Sequence, residues 1–255
     1  LEPVGGTLDD VPSHWRGLAF ATFDGTTWSP QYAQQLGSRF ATDVPWEPQA
    51  DGTWRRSSYT STRSVRVRAL SLGGRRLLTP LATTELRLAD PTALLLDPRS
   101  DGGFVLLRGE DAPSDGLDYT VGIAAQAPTA APVPRVRDHF TALPAGGGPR
   151  LVRDLASQLR QKLLPEADEL AVAQATATWL QQNRRYQLPG GPGFARSLGD
   201  FLLGTGAGHC EYFATTLALL LRAQGVPCRL VGGFLAHERD EATNTIIVRG
   251  RDAHA

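Results

Sequence analysis

The sequence contains no methionine, a single lysine (Lys162) and only two cysteines among its 255 residues. Because it lacks a methionine it does not begin at a translational start, and we expect it to be a processed or excised piece of a longer protein. No stretch approaches the roughly 18 apolar residues that a membrane-spanning helix requires, and no signal-peptide pattern is present. The 26 basic and 26 acidic residues balance, which gives no indication of a nucleic-acid or anionic-lipid partner.

The two cysteines, Cys210 and Cys228, flank a stretch with helical periodicity. A helix of about 14 residues would separate them by about 20 Å, whereas bridged Cα atoms lie within about 7 Å of each other. We therefore predict two free thiols. The cysteine count gives no indication of the redox compartment.

Residues 1–127 are predicted to form β-structure. Short apolar or alternating runs lie between turn dipeptides, and the strongest hairpin signal is Asp24-Gly25 between residues 18–23 and 26–28. Val65 and Val67 alternate with arginines, as on a half-buried strand. Further turn dipeptides lie at residues 51–52, 73–74 and 102–103, and further strand candidates at 94–96, 104–107 and 119–123. This pattern predicts a small β-sandwich or open barrel.

A proline- and glycine-rich stretch, residues 128–149, is predicted to be a linker between two domains, residues 1–127 and 150–255. Beyond it the periodicity becomes helical. Helices are predicted from Leu151 to Pro165, from Leu170 to Asn183, and from about Cys210 to a stop at Gly225. Residues 229–235 are predicted to form a buried strand, and residues 245–248 a second strand that continues toward His254. The fold class is therefore α+β.

The clearest candidate for chemistry is Cys210, which follows a glycine-rich turn and starts the third predicted helix. Unpaired N–H groups and the positive dipole end of a helix favour a thiolate at that position. The backbone N–H of Cys210 could also stabilise an oxyanion. The alternative is that Cys210 is a small buried apolar residue, but the glycines before it indicate open space around the sulfur. Cys228, which enters an apolar strand, is interpreted as a buried structural thiol.

Among the five histidines, we prefer His254 as the base, because it ends a strand that could lie beside the helix start. His209 adjoins Cys210, and we expect its side chain to diverge from the sulfur. Asp252 is predicted on the same strand face as His254, as an electrostatic neighbour, and Glu211 is interpreted as a helix-dipole residue. The remaining histidines are predicted to be exposed: His14, His139 and His237.

A zinc site built from the two cysteines and a histidine is disfavoured, because no C-x-x-C or H-x-x-x-H spacing supports it. We therefore expect no metal and no organic cofactor.

Three motifs occur in order: Gly208-His-Cys-Glu-Tyr-Phe-Ala214, Leu219-Leu-Leu-Arg-Ala-Gln-Gly-Val-Pro-Cys-Arg-Leu-Val-Gly-Gly-Phe234 and Asp252-Ala-His-Ala255. Together they resemble the transglutaminase-like superfamily, whose core is similar to that of papain-type cysteine proteases. The resemblance covers roughly residues 186–255. It implies a core in which the nucleophile, at a helix N-terminus, packs on an antiparallel sheet whose last strands follow residue 255.

The family's catalytic cysteine corresponds to Cys210 and its histidine to His254. The third member of its triad, an aspartate, would follow Ala255, so we expect this fragment alone to be impaired. The resemblance implies acyl transfer from a peptidyl glutamine to an amine acceptor, with a protein or peptide as substrate. Deamidation and proteolysis on the same core remain alternatives. So does a non-catalytic binding or structural module of the cell envelope.

The stretch from Trp15 to Trp28 gives a second, narrower resemblance, to the extracytoplasmic segment of bacterial membrane-anchored transglutaminase-like proteins. This resemblance implies a periplasmic domain of an inner-membrane parent protein.

Overall fold

The computed structural model describes residues 1–30, 46–56, 59–70, 76–89, 96–98, 104–106, 116–125, 134–144 and 150–255. The described chain divides into two compact units, each assembled from separate stretches. The first unit comprises Leu1–Ala19, Leu36–Ala131 and Val231–His254; the second comprises Phe20–Gln35, Pro132–Leu230 and Ala255. The predicted turns at 73–74, 102–103 and 146–149, and the predicted strand residues 94–95 and 107, lie outside the described residues.

Along the described chain, twelve strands precede the helices and four short strands follow them, an order that is typical of an α+β fold. The strands are β1 (Glu2–Val4), β2 (His14–Phe20), β3 (Thr22–Phe23), β4 (Trp28–Ser29), β5 (Glu47–Pro48), β6 (Thr53–Arg55), β7 (Arg63–Ala69), β8 (Arg76–Leu77), β9 (Thr83–Leu88), β10 (Leu96–Pro98), β11 (Phe104–Leu106), β12 (Leu117–Ile123), β13 (Leu230–Leu235), β14 (Glu238–Asp240), β15 (Thr245–Ile247) and β16 (Ala253–His254). The helices are α1 (Pro134–Thr141), α2 (Arg150–Arg160), α3 (Glu169–Asn183), α4 (Leu198–Leu203) and α5 (Cys210–Ala223). Short 3-10 turns lie at Leu8–Asp10 and Gly250–Asp252.

The first unit is built on an antiparallel sheet in the order β1-β7-β12-β9-β6-β5. Alternation along β7 points Val65 and Val67 into the core while Arg66 and Arg68 are exposed, as the sequence predicts. β12 runs through the middle of the sheet, where Val121 pairs with Val65 of β7 and with Leu86 of β9. Among the described residues of this unit, the main buried cluster consists of Leu8, Val11, Trp15, Val65, Val67, Leu77, Leu86, Leu88, Leu117, Tyr119, Val121, Ile123, Ala236 and Ile246.

The smaller sheets of the first unit are β10-β11-β8, β14-β15 and β16-β13-β2. Two sequence predictions for these strands are wrong. β13 is not a buried strand, because Gly232 and Gly233 at its centre have no side chain to bury and Val231 is 37% exposed. The strand at Thr245–Ile247 does not continue to His254: it pairs with β14, and the 3-10 turn Gly250–Asp252 then redirects the chain into β16.

A small hairpin belongs to the second unit. Thr22 pairs with Ser29 and Phe23 with Trp28, so the predicted Asp24-Gly25 hairpin forms, with a four-residue loop. The Asp24 carboxylate accepts the backbone N–H groups of Thr26 and Thr27 at 2.7 Å each, and these hydrogen bonds hold the pKa of Asp24 below its usual value. The loop is therefore built by a carboxylate that folds back on its own backbone.

The helices of the second unit begin and end where their sequences provide caps. Asp168 caps α3 through the N–H of Ala171 at 2.7 Å. At the end of α5, Gly225 adopts φ +77°, and Val226 N–H donates to the Leu221 carbonyl at 2.9 Å, a Schellman motif that matches the predicted stop. The main core of this unit consists of Phe23, Val152, Ala156, Leu159, Leu180, Leu202, Leu219 and Leu220.

Two helices differ from the sequence predictions. α1 lies within the stretch predicted to be a linker, and α4 was not predicted. α4 is short, is capped by Ser197 and ends at Gly204, whose φ is +77°, so a six-residue helix rests on its two caps rather than on a repeating apolar face. The α+β class is confirmed. The domain limits at 127, 128–149 and 150 stay a prediction.

Candidate active site

Cys210 is the first residue of α5, and His209 is the residue that caps this helix. The N–H groups of the first helical turn have no partner within the helix, and the backbone N–H of Cys210 is one of them. The thiol itself is partly exposed. The predicted position of Cys210 at a helix N-terminus therefore agrees with the structure, and its role as a nucleophile stays a prediction.

The glycines before Cys210 serve close packing rather than open space around the sulfur. A Cβ on Gly208 would lie 2.7 Å from the Cβ of Tyr212, and one on Gly206 would lie 2.6 Å from the Cα of Ala195. Real Cβ atoms do not approach that closely. Both positions thus require glycine because neighbouring chain already occupies the space, and the expectation of an opened cavity is wrong.

The segment that leads into α5 is held by an earlier stretch of the same unit. Isolated parallel bridges join Tyr186 to Gly208 and Phe194 to Ala207. The Gly208 carbonyl accepts the Gln187 N–H at 3.0 Å, and the Ala207 carbonyl accepts the Ala195 N–H at 2.8 Å. These bonds fix the backbone immediately before the thiol.

An aromatic cluster surrounds this helix start. Phe201 packs edge-on against Tyr212 at 5.6 Å and against Phe213 at 4.9 Å between ring centroids. Phe194 lies 5.5 Å from Tyr212, whose hydroxyl donates to the Ala195 carbonyl at 3.3 Å. Cluster and bridges together make the surroundings of Cys210 well packed.

His209 does not diverge from the sulfur, contrary to the sequence prediction. Its Nδ1 lies 3.9 Å from Cys210 Sγ and accepts the Glu211 N–H at 3.4 Å. The physical reason is that a capping residue has an extended backbone, here φ −95° and ψ −172°, so its side chain folds back over the first helical turn. The signal available in the sequence was the position just before the helix, where a side-chain acceptor is preferred.

Glu211 lies in the first helical turn, as predicted, where a negative charge is favourable. Its Oε2 is 4.0 Å from His209 Nε2, and its side chain is 75% exposed. Cys210, His209 and Glu211 are thus brought together in the second unit.

Cys228 differs from Cys210 in its surroundings. Its Sγ donates to the Ala218 carbonyl at 3.4 Å, and burial raises the pKa of its thiol, an effect that the nearby Arg222 partly offsets. Both cysteines are free, as predicted. Cys228 packs beside the small cluster of Val172, Leu221 and Val226, which suits a structural thiol.

His254 belongs to the first unit, on β16, where it pairs with Gly233 of β13. Burial lowers the pKa of its imidazole, and the charge of His14 lowers it further. A lowered pKa keeps the ring neutral near pH 7, which a general base requires.

Asp252 does not share a strand face with His254, which corrects the sequence prediction. It ends the 3-10 turn, is buried, and accepts the Arg249 N–H at 2.7 Å. Its other oxygen lies 3.8 Å from Nε2 of His237, whose side chain is 64% exposed. The carboxylate points away from the strand direction because it accepts a backbone N–H within its own turn.

A charged cluster that the sequence analysis did not identify holds the segment before His254. Glu238 accepts from Arg249 at 3.0 and 2.6 Å and from Arg251 at 2.9 Å. These arginines lower the pKa of Glu238 to about 2. In the sequence, only charges of alternating sign indicated this cluster. Because such charges are common on exposed hairpins, they did not predict a specific ion pair.

His139, predicted to be exposed, is half-buried in α1. Burial and then the Arg222 guanidinium lower the pKa of this imidazole. His14 is exposed, as expected, and its Nδ1 lies 2.9 Å from the Ser13 hydroxyl oxygen. Within the described ranges, no group of three or more His, Cys, Asp or Glu side chains is arranged to hold a metal ion, and no helix is long and apolar enough to cross a membrane.

The chain is similar to known proteins in sequence and in structure. The family model Transglut_core, described as the transglutaminase-like superfamily, matches residues 153–255. A Pseudomonas aeruginosa protein named protein-glutamine gamma-glutamyltransferase is 29% identical in an alignment of 253 residues that covers 95% of this chain and 32% of that protein. The chain thus spans about a third of the length of this curated relative.

Two crystal structures of the periplasmic domain of TgpA from Pseudomonas aeruginosa, one of them bound to ethylmercury, have the same fold. Their TM-scores are 0.66 and 0.65 at 27% and 26% identity. The alignments cover 94% and 99% of this chain and 75% and 81% of those chains. The α+β architecture described above is therefore shared with solved structures over nearly the whole chain.

Proposed function

Because the model of the transglutaminase-like superfamily matches residues 153–255, we propose that this chain is a member of that superfamily and catalyses thiol-dependent acyl transfer from peptidyl glutamine. Cys210 is the nucleophile and His254 the general base and acid. The observation that carries this proposal is the position of Cys210 as the first residue of α5, within the matched range. A helix start favours the thiolate and supplies backbone N–H groups for an oxyanion.

The proposed reaction proceeds through a thioester. His254 takes the thiol proton, and the Cys210 sulfur attacks the carboxamide carbon of the glutamine side chain. The tetrahedral oxyanion accepts a hydrogen bond from the Cys210 N–H. The C–N bond then breaks, and the imidazolium of His254 gives its proton to the departing ammonia. A primary amine attacks the thioester, loses a proton to His254 and releases the thiol, which leaves an isopeptide bond.

The proposed substrates are proteins or peptides with an accessible glutamine, together with a primary amine. The name of the curated relative, protein-glutamine gamma-glutamyltransferase, supports this substrate class. The proposed location is outside the cytoplasm, as the periplasmic domain of a membrane-anchored bacterial protein, and the similar structures of a periplasmic domain support it.

Two alternatives use the same nucleophile. If water instead of an amine resolves the thioester, the product is glutamate and the activity is deamidation. If Cys210 attacks a peptide bond, the activity is that of a cysteine peptidase. A non-catalytic envelope module is the alternative from a different class, and the presence of both Cys210 and His254 disfavours it.

In the resemblance given above, the aspartate of the triad lies on the strand after the one that carries the histidine, and it orients the imidazole. We therefore propose that a longer chain that includes the strand after His254 is faster than residues 1–255.

The test offers a glutamine peptide and a fluorescent primary amine to the 255-residue chain and to the longer chain. Amine incorporation supports the transferase, ammonia release alone indicates a deamidase, and cleavage indicates a peptidase. Cys210→Ala should abolish every one of these products, whereas Cys228→Ala, the matched control, should retain them. Incorporation by the Cys210→Ala variant would refute the proposal.

A further inference from the structure

Three consecutive residues at the N-terminus of α5, His209, Cys210 and Glu211, place an imidazole between a thiol and a carboxylate. His209 Nδ1 lies 3.9 Å from Cys210 Sγ, and His209 Nε2 lies 4.0 Å from Glu211 Oε2. Thiol, imidazole and carboxylate in this order are the components of an activated thiol nucleophile. We propose that His209 is a second proton acceptor for the Cys210 thiol, oriented by Glu211. The inference rests on the proposed role of Cys210 as the nucleophile.

The contacts of His209 determine which of its nitrogens is basic. Nδ1 accepts the Glu211 N–H, so it carries no proton in the neutral ring. The ring proton is then on Nε2, the nitrogen that faces the Glu211 carboxylate. The basic nitrogen is therefore the one beside the sulfur.

Neighbouring rings hold the imidazole of His209 in place. Phe194 stacks on it at 5.7 Å with an angle of 7° between the planes, and Tyr212 lies edge-on at 5.4 Å and 70°. The side chain of His209 is only 18% exposed. The titratable groups facing the ring are Cys210, Glu211 and Tyr212, while the Phe194 side is apolar. A fixed ring keeps Nδ1 directed at both the helix start and the thiol.

The proposed step is a proton transfer within this group of residues. The S–H bond of Cys210 breaks and an N–H bond forms at His209 Nδ1, which gives a thiolate–imidazolium pair with no change in net charge. Protonated Nδ1 no longer accepts the Glu211 N–H, and the helix dipole disfavours the new cation. The same dipole stabilises the thiolate, and the negative charge of the Glu211 carboxylate, 4.0 Å from Nε2, attracts the imidazolium.

This step divides the chemistry between two histidines. His209 would take the thiol proton before substrate arrives, and that proton would pass to the ammonia that leaves. His254 would then take the proton that the attacking amine loses. Such a division gives the free protein a reactive thiol below neutral pH without any contribution from His254.

The experiment measures the rate of Cys210 alkylation by iodoacetamide from pH 5 to 9, with Cys228→Ala as the common background. His209→Asn keeps a capping acceptor but removes the imidazole, and Glu211→Gln keeps the helix but removes the carboxylate. We expect the alkylation rate of the Asn variant to fall about tenfold at pH 6 and to change little at pH 9. The reason is that the rate at acidic pH, called here the acidic limb of the profile, depends on the thiolate–imidazolium pair. Glu211→Gln should show a smaller loss in the same limb, and His254→Gln should retain the limb.

A wild-type pH profile in His209→Asn would overturn the inference, and so would loss of the acidic limb in His254→Gln alone. A uniform fall at every pH would also overturn it, because that pattern indicates a disturbed helix rather than a lost proton acceptor. His209→Ala loses both the ring and the helix cap. Its change in thermal stability shows how large the effect of a disturbed helix is. An acidic limb that persists while the glutamine assay fails would refute the proposed function and leave this inference standing.

Discussion

Gly233 lies directly opposite His254 in the antiparallel pair of β13 and β16. The backbone of β2 approaches Gly233 so closely that an added Cβ would lie 2.0 Å from the Trp15 carbonyl oxygen. The strand that carries the proposed base is therefore paired with a residue that has no room for a side chain.

Gly233→Ala should destabilise the first unit, because the clash involves backbone atoms of Trp15 that cannot rotate away. We expect a loss of about 1–3 kcal/mol in the free energy of unfolding, measured by urea denaturation, together with a lower rate of glutamine turnover. Gly250→Ala is the matched control, since an added Cβ there meets open space. Equal stability of the two variants would contradict the argument.

Arg222 is a buried cation whose two Nη atoms donate to backbone carbonyl groups. It is 4% exposed and donates to the carbonyls of Ala21 at 2.6 Å, Ala142 at 2.9 Å and Cys228 at 2.8 Å. Arg222→Met should leave these acceptors without donors and cost about 2–4 kcal/mol of unfolding free energy. Arg150→Met is the control, because the Arg150 side chain is 94% exposed. A change in unfolding free energy below about 0.5 kcal/mol in Arg222→Met, which is the range of ordinary surface substitutions, would contradict the prediction.

The two thiols should differ in reactivity. Burial raises the pKa of Cys228, whereas Cys210 lies at a helix start and is partly exposed. Iodoacetamide at neutral pH should label Cys210 faster than Cys228, by about tenfold or more. Peptide mass spectrometry distinguishes the two sites in a single sample. Equal and slow labelling would indicate that the helix start does not activate the thiol.

Acid should destabilise the second unit through His139. Burial and Arg222 lower the pKa of His139 in the folded state, so below about pH 6.5 the unfolded chain binds a proton that the folded chain resists. Stability is therefore lost as pH falls below that value. Urea midpoints at pH 7.5 and 5.5 should differ less in His139→Gln than in the wild type. Exposed His14→Gln is the comparison, and an identical pH response in all three proteins would contradict this role.

Regular periodicity made much of the second unit predictable. Leu151, Leu155 and Leu159 recur on one face of α2, and Gly225 ends α5 because a left-handed residue is required there. The helix that begins at Cys210 was predicted from that stop and from an apolar face formed by Phe213, Leu217, Leu220 and Leu221. Such features depend on neighbours in sequence, so a single chain reveals them.

The side-chain contacts of the candidate site were less predictable. The direction of His209 depends on its extended capping backbone, and the direction of Asp252 on a 3-10 turn that interrupts a run with strand character. The tight packing at Gly208 depends on Tyr212 and Phe201, which the helix and the aromatic cluster bring there. These features depend on turns and packing that no periodic pattern encodes.

The bridges that join Tyr186 to Gly208 and Phe194 to Ala207 connect stretches that are close in sequence. By contrast, the hydrogen bond from the Trp28 indole to the Thr215 hydroxyl joins residues 187 positions apart. Because short loops close at a smaller entropic cost, the immediate surroundings of Cys210 can assemble early in folding, before the N-terminal hairpin docks. During synthesis, the surroundings of Cys210 would then form as soon as the stretch from Tyr186 to Phe213 has emerged, and the N-terminal hairpin would dock afterwards.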